Sequence, residues 1–571
     1  MRFLVNFHVS PIFFFSNSVQ LCMSDTKYSL NNNIQKYKHM KCKNSSSIIY
    51  SPIIFAFVLV LGMFLGNLIA TNRVEKKFTI YPHIDKLSLA LDIIEENYVD
   101  KITKKSLIET TIPIVLEELD PHSIYIPAKD LPRVREPLEG NFEGIGVQFN
   151  IQNDTVLIVS TIPNGPSDKI GIKAGDRIVY INDSLFVGKM LNSDYVIKKL
   201  KGAGGSVVKV GIARRGTKEI LDFKITRGKI PIYSVEAAYM IDDLTGYIKI
   251  SRFARTSYRE FIQAIKKLKK QGLQKIIIDL QSNTGGYLDA ATRIADEFLE
   301  KGKLIVYTEG KARERENYYA TANTYCSELD VAILLDSWSA SASEILAGAI
   351  QDNDRGIIVG QRSFGKGLVQ EPTFFRDSSV MRLTIARYYT PTGRCIQKPY
   401  TKGNEEYFKD IKHRYENGEF ISADSIHFID SLKYTTPKGK MVYGGGGIMP
   451  DYFVPIDTCG NSPYLNKVRR KSLIYKFALE FADNNRKTLN KFSDYKEFVF
   501  YLKNRNILAE FIKYAERKGV EANKKDIATS KKIIEIQIMA YIARNIIDNQ
   551  GFYPIIKDLN PALLEAVKQL K

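Results

Sequence analysis

The segment 331–351, VAILLDSWSASASEILAGAIQ, joins an uncharged apolar run to a helical pattern through a stretch of small residues. The run 331–335 predicts a strand buried on both faces, and 341–351 predicts the helix after it. A serine at such a turn can expose its hydroxyl beside the free amides and the positive dipole end of the helix. Serine and alanine are also common as simple N-caps, so this segment alone leaves both interpretations open.

The alternation of strand and helix continues towards the N-terminus. Residues 246–250 and 275–280 predict buried strands, and 257–271 predicts an amphipathic helix between them. This order predicts a sheet covered by helices. We therefore predict an α/β domain over 229–462, in which the charged and aromatic stretch 398–440 is an insertion.

A lysine framed by glycines forms the second chemical candidate, in SFGKGLVQ at 363–370. Lys366 could act as a general base only when neutral, and an ordinary lysine is neutral about once in a few thousand molecules at pH 7. Burial would therefore have to lower its pKa by about 3. The alternative is a surface lysine in a glycine loop. A histidine base would have to come from another domain, because none lies between His122 and His413.

Residues 139–228 change to short β runs separated by turns, with two short helices predicted near 167–172 and 193–200. This order, and above all GIKAGDRIVYIN at 171–182, resembles a PDZ domain. PDZ domains add an extended C-terminus as a strand and hold its carboxylate with loop amides. The resemblance implies a groove beside the helix at 193–200 and the following peptide-binding residues: Gly144, Ile145, Gly146 and Val147. The alternative is a β-barrel spacer without a ligand.

The two ends of the chain differ from these central domains. Segment 48–70 has no charged residue and as a helix would be about 34 Å long, so it predicts a membrane anchor rather than a signal peptide. Residues 1–47 would then be a cytoplasmic segment. Residues 78–138 predict a helical part, helical over 86–119 and followed by a turn at 120–123. The lysine-rich 463–571 predicts a separate helical domain.

Composition excludes several classes of function. The chain of 571 residues has 82 Lys and Arg against 63 Asp and Glu, a net charge of +19. Its lysines are scattered, so we do not expect nucleic-acid binding. Five cysteines without a CxxC pair exclude a disulfide scaffold and a zinc ribbon. Six histidines without HExxH predict no metal site.

The serine and lysine segments together resemble the carboxyl-terminal processing peptidases (tail-specific proteases), serine peptidases with a Ser-Lys dyad and an inserted PDZ domain. The resemblance covers about residues 85–395 and resumes at 444–451. It implies that Ser341, the middle serine of the family's Ser-Ala-Ser-Ala-Ser-Glu motif, is the nucleophile. Lys366, 25 positions later, would be the base, and Gln370 would hold the lysine. No cofactor is implied.

The same resemblance implies an oxyanion hole. Its donors would be the amide of Ala342 and that of Gly285 or Gly286 in the double-glycine turn. The family's usual Arg-Gly-Asn-Pro before this turn is QSNT at 281–284 in this chain. Asp352 matches an aspartate that has been discussed for some members, and we interpret it as structural.

The sequence thus predicts a mixed α/β protein, with a crotonase-like catalytic core implied by the resemblance. We expect a serine endopeptidase anchored in the inner membrane, with its catalytic domain on the periplasmic side. Its partners would be unfolded or flexible protein C-terminal tails, with a homo-oligomer or an adaptor left open. An empty PDZ groove could hold Lys366 away from Ser341 until a tail binds. The alternative is a non-catalytic PDZ envelope scaffold, which would have lost Ser341 or Lys366; neither is lost.

Overall fold

The computed structural model describes residues 50–71, 85–152, 154–321, 325–427 and 429–571. It divides into two units, Met1–Leu89 and Ala90–Lys571. Helix α1 of the first unit spans Ser51–Thr71. Across the described ranges, no helix is both long and apolar enough to cross a membrane. The structure therefore gives no support to the anchor predicted at 48–70. The predicted cytoplasmic segment 1–47 lies outside the described residues.

The N-terminal part is helical but interrupted. Its elements are α2 (Lys86–Asn97), α3 (Lys104–Glu117), β1 (Ile124–Ile126) and α4 (Leu131–Glu139). The helix predicted over 86–119 is therefore two helices. The second begins after Thr103, whose hydroxyl accepts a hydrogen bond from the amide of Ser106 at 3.2 Å. This N-cap starts a new helix because it satisfies one of the free amides of the first turn.

The next region is a small antiparallel sheet with two short helices. Its elements are β2 (Asn141–Gly144), β3 (Val147–Gln152), β4 (Thr155–Thr161), α5 (Pro166–Lys169), β5 (Arg177–Ile181), β6 (Ser184–Leu185), α6 (Ser193–Leu200), β7 (Val207–Ala213), β8 (Leu221–Thr226) and β9 (Gly228–Pro231). The strand order is β3-β4-β5-β7-β8, with β6 paired to β5. Strand β3 lies at the sheet edge, which leaves one side of its backbone open to a further strand.

Among the described residues, the catalytic region contains two larger sheets and a separate two-stranded one. Its elements are β10 (Val235–Met240), β11 (Thr245–Ile250), α7 (Ser257–Lys269), β12 (Lys275–Asp279), α8 (Leu288–Asp296), β13 (Leu304–Gly310), β14 (Arg313–Tyr319), β15 (Asp330–Leu335), α9 (Ala342–Asp352), β16 (Ile357–Gly360), β17 (Leu368–Phe374), β18 (Val380–Tyr389), α10 (Asn404–Glu416), β19 (Lys433–Thr435), β20 (Met441–Tyr443) and β21 (Tyr452–Phe453). The main sheet has the order β10-β11-β12-β15-β16-β21, parallel from β11 onward. The second sheet has the order β1-β18-β13-β14, with β17 also paired to β18.

Both faces of the main sheet are covered, as its largely buried parallel strands require. Alternate side chains such as Ile248, Ile278 and Ile333 pack with helices α7, α8 and α9. Their neighbours on the opposite face, such as Ile277 and Leu334, pack with apolar side chains of the last helix of the chain. The mixed α/β fold predicted from the sequence is confirmed.

The C-terminal region is helical but not separate from the catalytic sheet. Its helices are α11 (Pro463–Arg470), α12 (Leu473–Leu489), α13 (Tyr495–Lys503), α14 (Ile507–Arg517), α15 (Lys524–Ile547), α16 (Asn549–Ile556) and α17 (Pro561–Gln569). Helices α11 to α15 share one apolar core. Helix α17 instead places Ala562, Leu563 and Ala566 on the main sheet. The sequence shows that these helices are amphipathic, but not which surface their apolar faces cover.

Candidate active site

Ser341 lies at the sharp turn between β15 and α9. Its φ is +58°, a left-handed backbone conformation that non-glycine residues adopt at a cost and that is frequent at functional turns. The neighbouring Ser339 and Ser343 are fully buried, and their hydroxyls donate to the carbonyls of Leu280 and Asn283 at 2.9 and 2.8 Å. Ser341 is only half-buried. Burial thus distinguishes the middle serine from its neighbours.

Glu344, in the first turn of α9, joins the serine segment to the lysine segment. One carboxylate oxygen accepts from the amides of Ser341 and Lys366 at 2.7 and 2.9 Å. The other accepts from the Ser363 hydroxyl at 2.5 Å and the Gly365 amide at 2.7 Å. Burial raises the pKa of this carboxyl to about 7, although the four hydrogen bonds favour its charged form. No local pattern in the sequence predicts this role of Glu344.

Tyr388 of β18 joins the same two segments from the other side. Its buried hydroxyl donates to the carbonyl oxygen of Ser341 at 3.1 Å and to that of Lys366. Two residues distant in sequence, Glu344 and Tyr388, therefore bring the backbones of Ser341 and Lys366 together.

The Lys366 ammonium lies in a largely dry environment. Burial lowers its pKa to about 8, and the Arg382 guanidinium on β18 contributes in the same direction. Its Nζ donates to Oε1 of Gln370 at 3.0 Å. Within the described part of the chain, no hydrogen bond joins Nζ to the Ser341 hydroxyl. Among the described residues, the Lys366 ammonium is therefore bonded to Gln370 and not to the Ser341 hydroxyl.

Behind Gln370, a polar network reaches the turn at 120–123. Gln370 Nε2 donates to the Thr384 hydroxyl at 3.4 Å. The same hydroxyl donates to Asp120 Oδ1 at 3.1 Å. His122, in the same turn as Asp120, shares a hydrogen bond of 2.9 Å with the Tyr407 hydroxyl of α10. Burial, with the nearby Lys366 charge, lowers the pKa of His122 to about 3, so it is neutral at pH 7. The sequence predicts only a turn here.

The double-glycine turn lies directly against the serine. A Cβ placed on Gly285 would be 2.8 Å from the Cβ of Ser341 and 2.9 Å from the amide nitrogen of Ala342. The Gly285 amide already donates to Oδ1 of Asn283 at 2.9 Å. Over the described ranges, the amides of Gly286 and Ala342 have no acceptor, and Gly286 is exposed. Of the two glycines that the sequence left open, only Gly286 has an amide without an acceptor among the described residues.

The four residues of the predicted peptide-binding loop have different roles. Gly144 ends β2, and Val147 begins β3. The side chain of Ile145 lies in the apolar core of this region. Its amide and that of Gly146 donate to no group among the residues described. Only the backbone of this loop, therefore, offers free donors to a carboxylate.

Asp352 lies at the end of α9. Asp352 forms a fully buried ion pair with Arg394 at 2.6 Å, which fits a structural role. In the parts of the chain that the structure describes, no cluster of His, Cys, Asp and Glu side chains could hold a metal ion.

Comparisons with known proteins agree with this geometry. Residues 244–406 match the model of peptidase family S41, residues 144–225 match the PDZ domain, and residues 464–548 match a family of unknown function (DUF8443).

Two curated relatives are each similar to more than half of this chain. The carboxy-terminal processing protease CtpB of Bacillus subtilis is 34% identical over 353 residues, which are 61% of this chain and 71% of the relative. The carboxy-terminal-processing protease of Bartonella bacilliformis is 33% identical over 349 residues, 59% of this chain and 79% of the relative. Among solved structures, a photosystem II D1 C-terminal processing protease is 27% identical, with a TM-score of 0.31, covering 54% of this chain and 90% of its own. The chain therefore belongs to the carboxy-terminal processing proteases of peptidase family S41, which are serine proteases.

Proposed function

We propose that this chain hydrolyses peptide bonds with Ser341 as nucleophile and Lys366 as general base. The main observation in support of this proposal is that one buried carboxylate binds the backbones of both residues. Glu344 binds the amides of both, and burial lowers the pKa of Lys366 to about 8. At this pKa about one lysine in ten is neutral at pH 7 and able to accept a proton.

The reaction would follow the usual course of a serine peptidase. Lys366 takes the hydroxyl proton as Ser341 attacks the peptide carbonyl. The amides of Gly286 and Ala342 donate to the oxygen on which negative charge develops. Lys366 then gives its proton to the leaving amine, and water releases the acyl group from Ser341.

Binding of a protein C-terminal tail would bring Lys366 into hydrogen-bond contact with the Ser341 hydroxyl. We call this arrangement the closed dyad. Lys366 is bonded to Gln370 and not to Ser341, so the lysine must move before reaction. The PDZ region, with free amides at Ile145 and Gly146 and an open edge on β3, would capture the C-terminal tail of an unfolded protein. We infer that this capture shifts the population towards the closed dyad. Equal hydrolysis of unfolded substrates with and without a free C-terminal tail would contradict this.

The cellular location is also a proposal, and it depends on the sequence alone. The uncharged segment 48–70 would hold the chain in the inner membrane with the catalytic region in the periplasm. Fractionation of cells expressing the full chain tests it: the protein should stay in the membrane pellet and be accessible to protease added from the periplasmic side. Recovery of the full chain in the soluble fraction would reject the anchor.

The central experiment uses the full chain in detergent with an unfolded substrate protein. We expect Ser341→Ala and Lys366→Ala to abolish cleavage, while both variants still bind a fluorescent peptide with a free apolar C-terminus. A charged C-terminus should reduce the rate of cleavage by the wild type. Cleavage that survives either substitution would refute the dyad.

A further inference from the structure

The C-terminal region contacts the turn that carries the proposed oxyanion donor. Asn560, just before α17, donates from Nδ2 to Oε1 of Gln281 at 2.7 Å. Gln281 begins the turn 281–286, which follows β12 and ends at Gly286. A residue from the far end of the chain thus binds the loop beside Ser341.

The backbone of Gln281 is held by the sheet. Its amide donates to Oδ1 of Asp279 at 2.8 Å, and its carbonyl accepts from Lys249 Nζ at 2.6 Å. Lys249 also donates to Asp279 at 2.9 Å, and both side chains are nearly fully buried. The side chain of Gln281, in contrast, faces a cavity of about 570 Å³ between the sheet and the C-terminal helices. On that side, its Oε1 accepts the hydrogen bond from Asn560.

The remainder of the turn is a connected set of hydrogen bonds. Asn283 donates from Nδ2 to the carbonyl of Ile250 at 2.9 Å and accepts from the amide of Gly285 at 2.9 Å. Gly285 has no free space towards Ser341. The contact with Asn560 adds a side-chain restraint at the start of this turn, beside the backbone bonds of Gln281. Small displacements of catalytic groups are costly, so even a modest restraint on the turn can affect the rate.

We propose that Asn560 is a positioning residue for proteolysis: through Gln281 it fixes the turn 281–286, so that the Gly286 amide meets the developing oxyanion. The inference rests on the proposed function of that turn. The C-terminal helices would then be a working part of the active site and not only an attached domain.

Two substitutions separate this role from a structural one. Asn560 Oδ1 also caps α17, because it accepts from the amide of Leu563 at 3.2 Å. Asn560→Ser keeps a capping oxygen, but its side chain is too short to reach Gln281. Asn560→Asp keeps the cap and can regain the contact when the Gln281 amide turns its NH₂ group towards the carboxylate.

We expect N560S to lower kcat about three- to tenfold with KM unchanged, the loss typical of one hydrogen bond. Binding of a peptide boronic acid, whose tetrahedral adduct occupies the oxyanion position, should weaken by a similar factor. N560D should retain most of the wild-type kcat. As a matched control, Asn523→Ser alters the cap of α15, where Oδ1 accepts from Asp526 at 3.0 Å, and should leave kcat unchanged.

Three results would overturn the positioning role: wild-type kcat in N560S, an equal loss in N560S and N560D, or a rise in KM alone. Ser341→Ala in the same assay separates this from the proposed function. If S341A is inactive and N560S is fully active, only the role of Asn560 fails. If S341A is active, the proposed dyad fails, and the inference fails with it.

Discussion

The pH dependence of proteolysis tests the electrostatic environment of Lys366 most directly. The neutral amine is the active form, so activity must rise with pH as the ammonium loses its proton. With a pKa of about 8, about one molecule in ten is active at pH 7, against about one in three thousand for an ordinary lysine. We expect kcat/KM to rise about tenfold from pH 6 to pH 7 and to level off above pH 9.

Substitution of Arg382 is the most direct way to change the pKa of Lys366. After burial, its guanidinium is the largest influence that lowers the pKa of Lys366, while Glu344 and Asp120 raise it. Its Nε has no acceptor in the described part of the chain. Arg382→Met therefore removes a positive charge without breaking a hydrogen bond of Nε. We expect the free energy of unfolding to stay unchanged. The pKa of Lys366 should rise, and with it the midpoint of the pH profile.

The assay is kcat/KM for an unfolded substrate between pH 6 and pH 10, measured for both proteins. In R382M the activity at pH 7 should fall while the plateau at high pH is kept. Arg376→Met, an exposed arginine in the turn of the same hairpin, is the matched control and should leave the midpoint in place. A midpoint of the wild-type pH profile near pH 10.5 would show that the pKa of Lys366 is not lowered. A midpoint that R382M does not shift would show that Arg382 does not contribute.

Three further substitutions test other parts of the site. Glu344→Gln places an NH₂ group against two donors, so urea unfolding should show a loss of about 2–4 kcal/mol; a loss below about 1 kcal/mol would contradict the four-bond arrangement. Gly286→Ala puts a Cβ 2.1 Å from a backbone carbonyl oxygen and should lower kcat at least about 100-fold, whereas Gly302→Ala, also at positive φ but in open space, should not change kcat. Asp352→Ala breaks the buried pair with Arg394 and should cost about 3–5 kcal/mol in thermal or urea unfolding; lost activity at unchanged stability would give Asp352 a catalytic role instead.

Much of the catalytic region could be predicted because its signals are local. An uncharged apolar run, small residues and a helical pattern within 331–351 are sufficient to predict a strand, a tight turn and a helix. The spacing of Ser341 and Lys366 then pointed to a family. The break between α2 and α3 was missed, since Thr103 is a cap only once its hydroxyl is seen to bind Ser106.

The sequence by itself determined which residues can do the chemistry: a serine at a strand-to-helix turn, a lysine among glycines and a double glycine. Only the tertiary structure decided what surrounds them. Arg382, Asp120 and Asn560 come from a second sheet, an early turn and the last turn before the C-terminal helix. Desolvation and electrostatic interactions depend on distance in space, not on separation in sequence, so no local pattern could place these groups around Lys366 and Gly286.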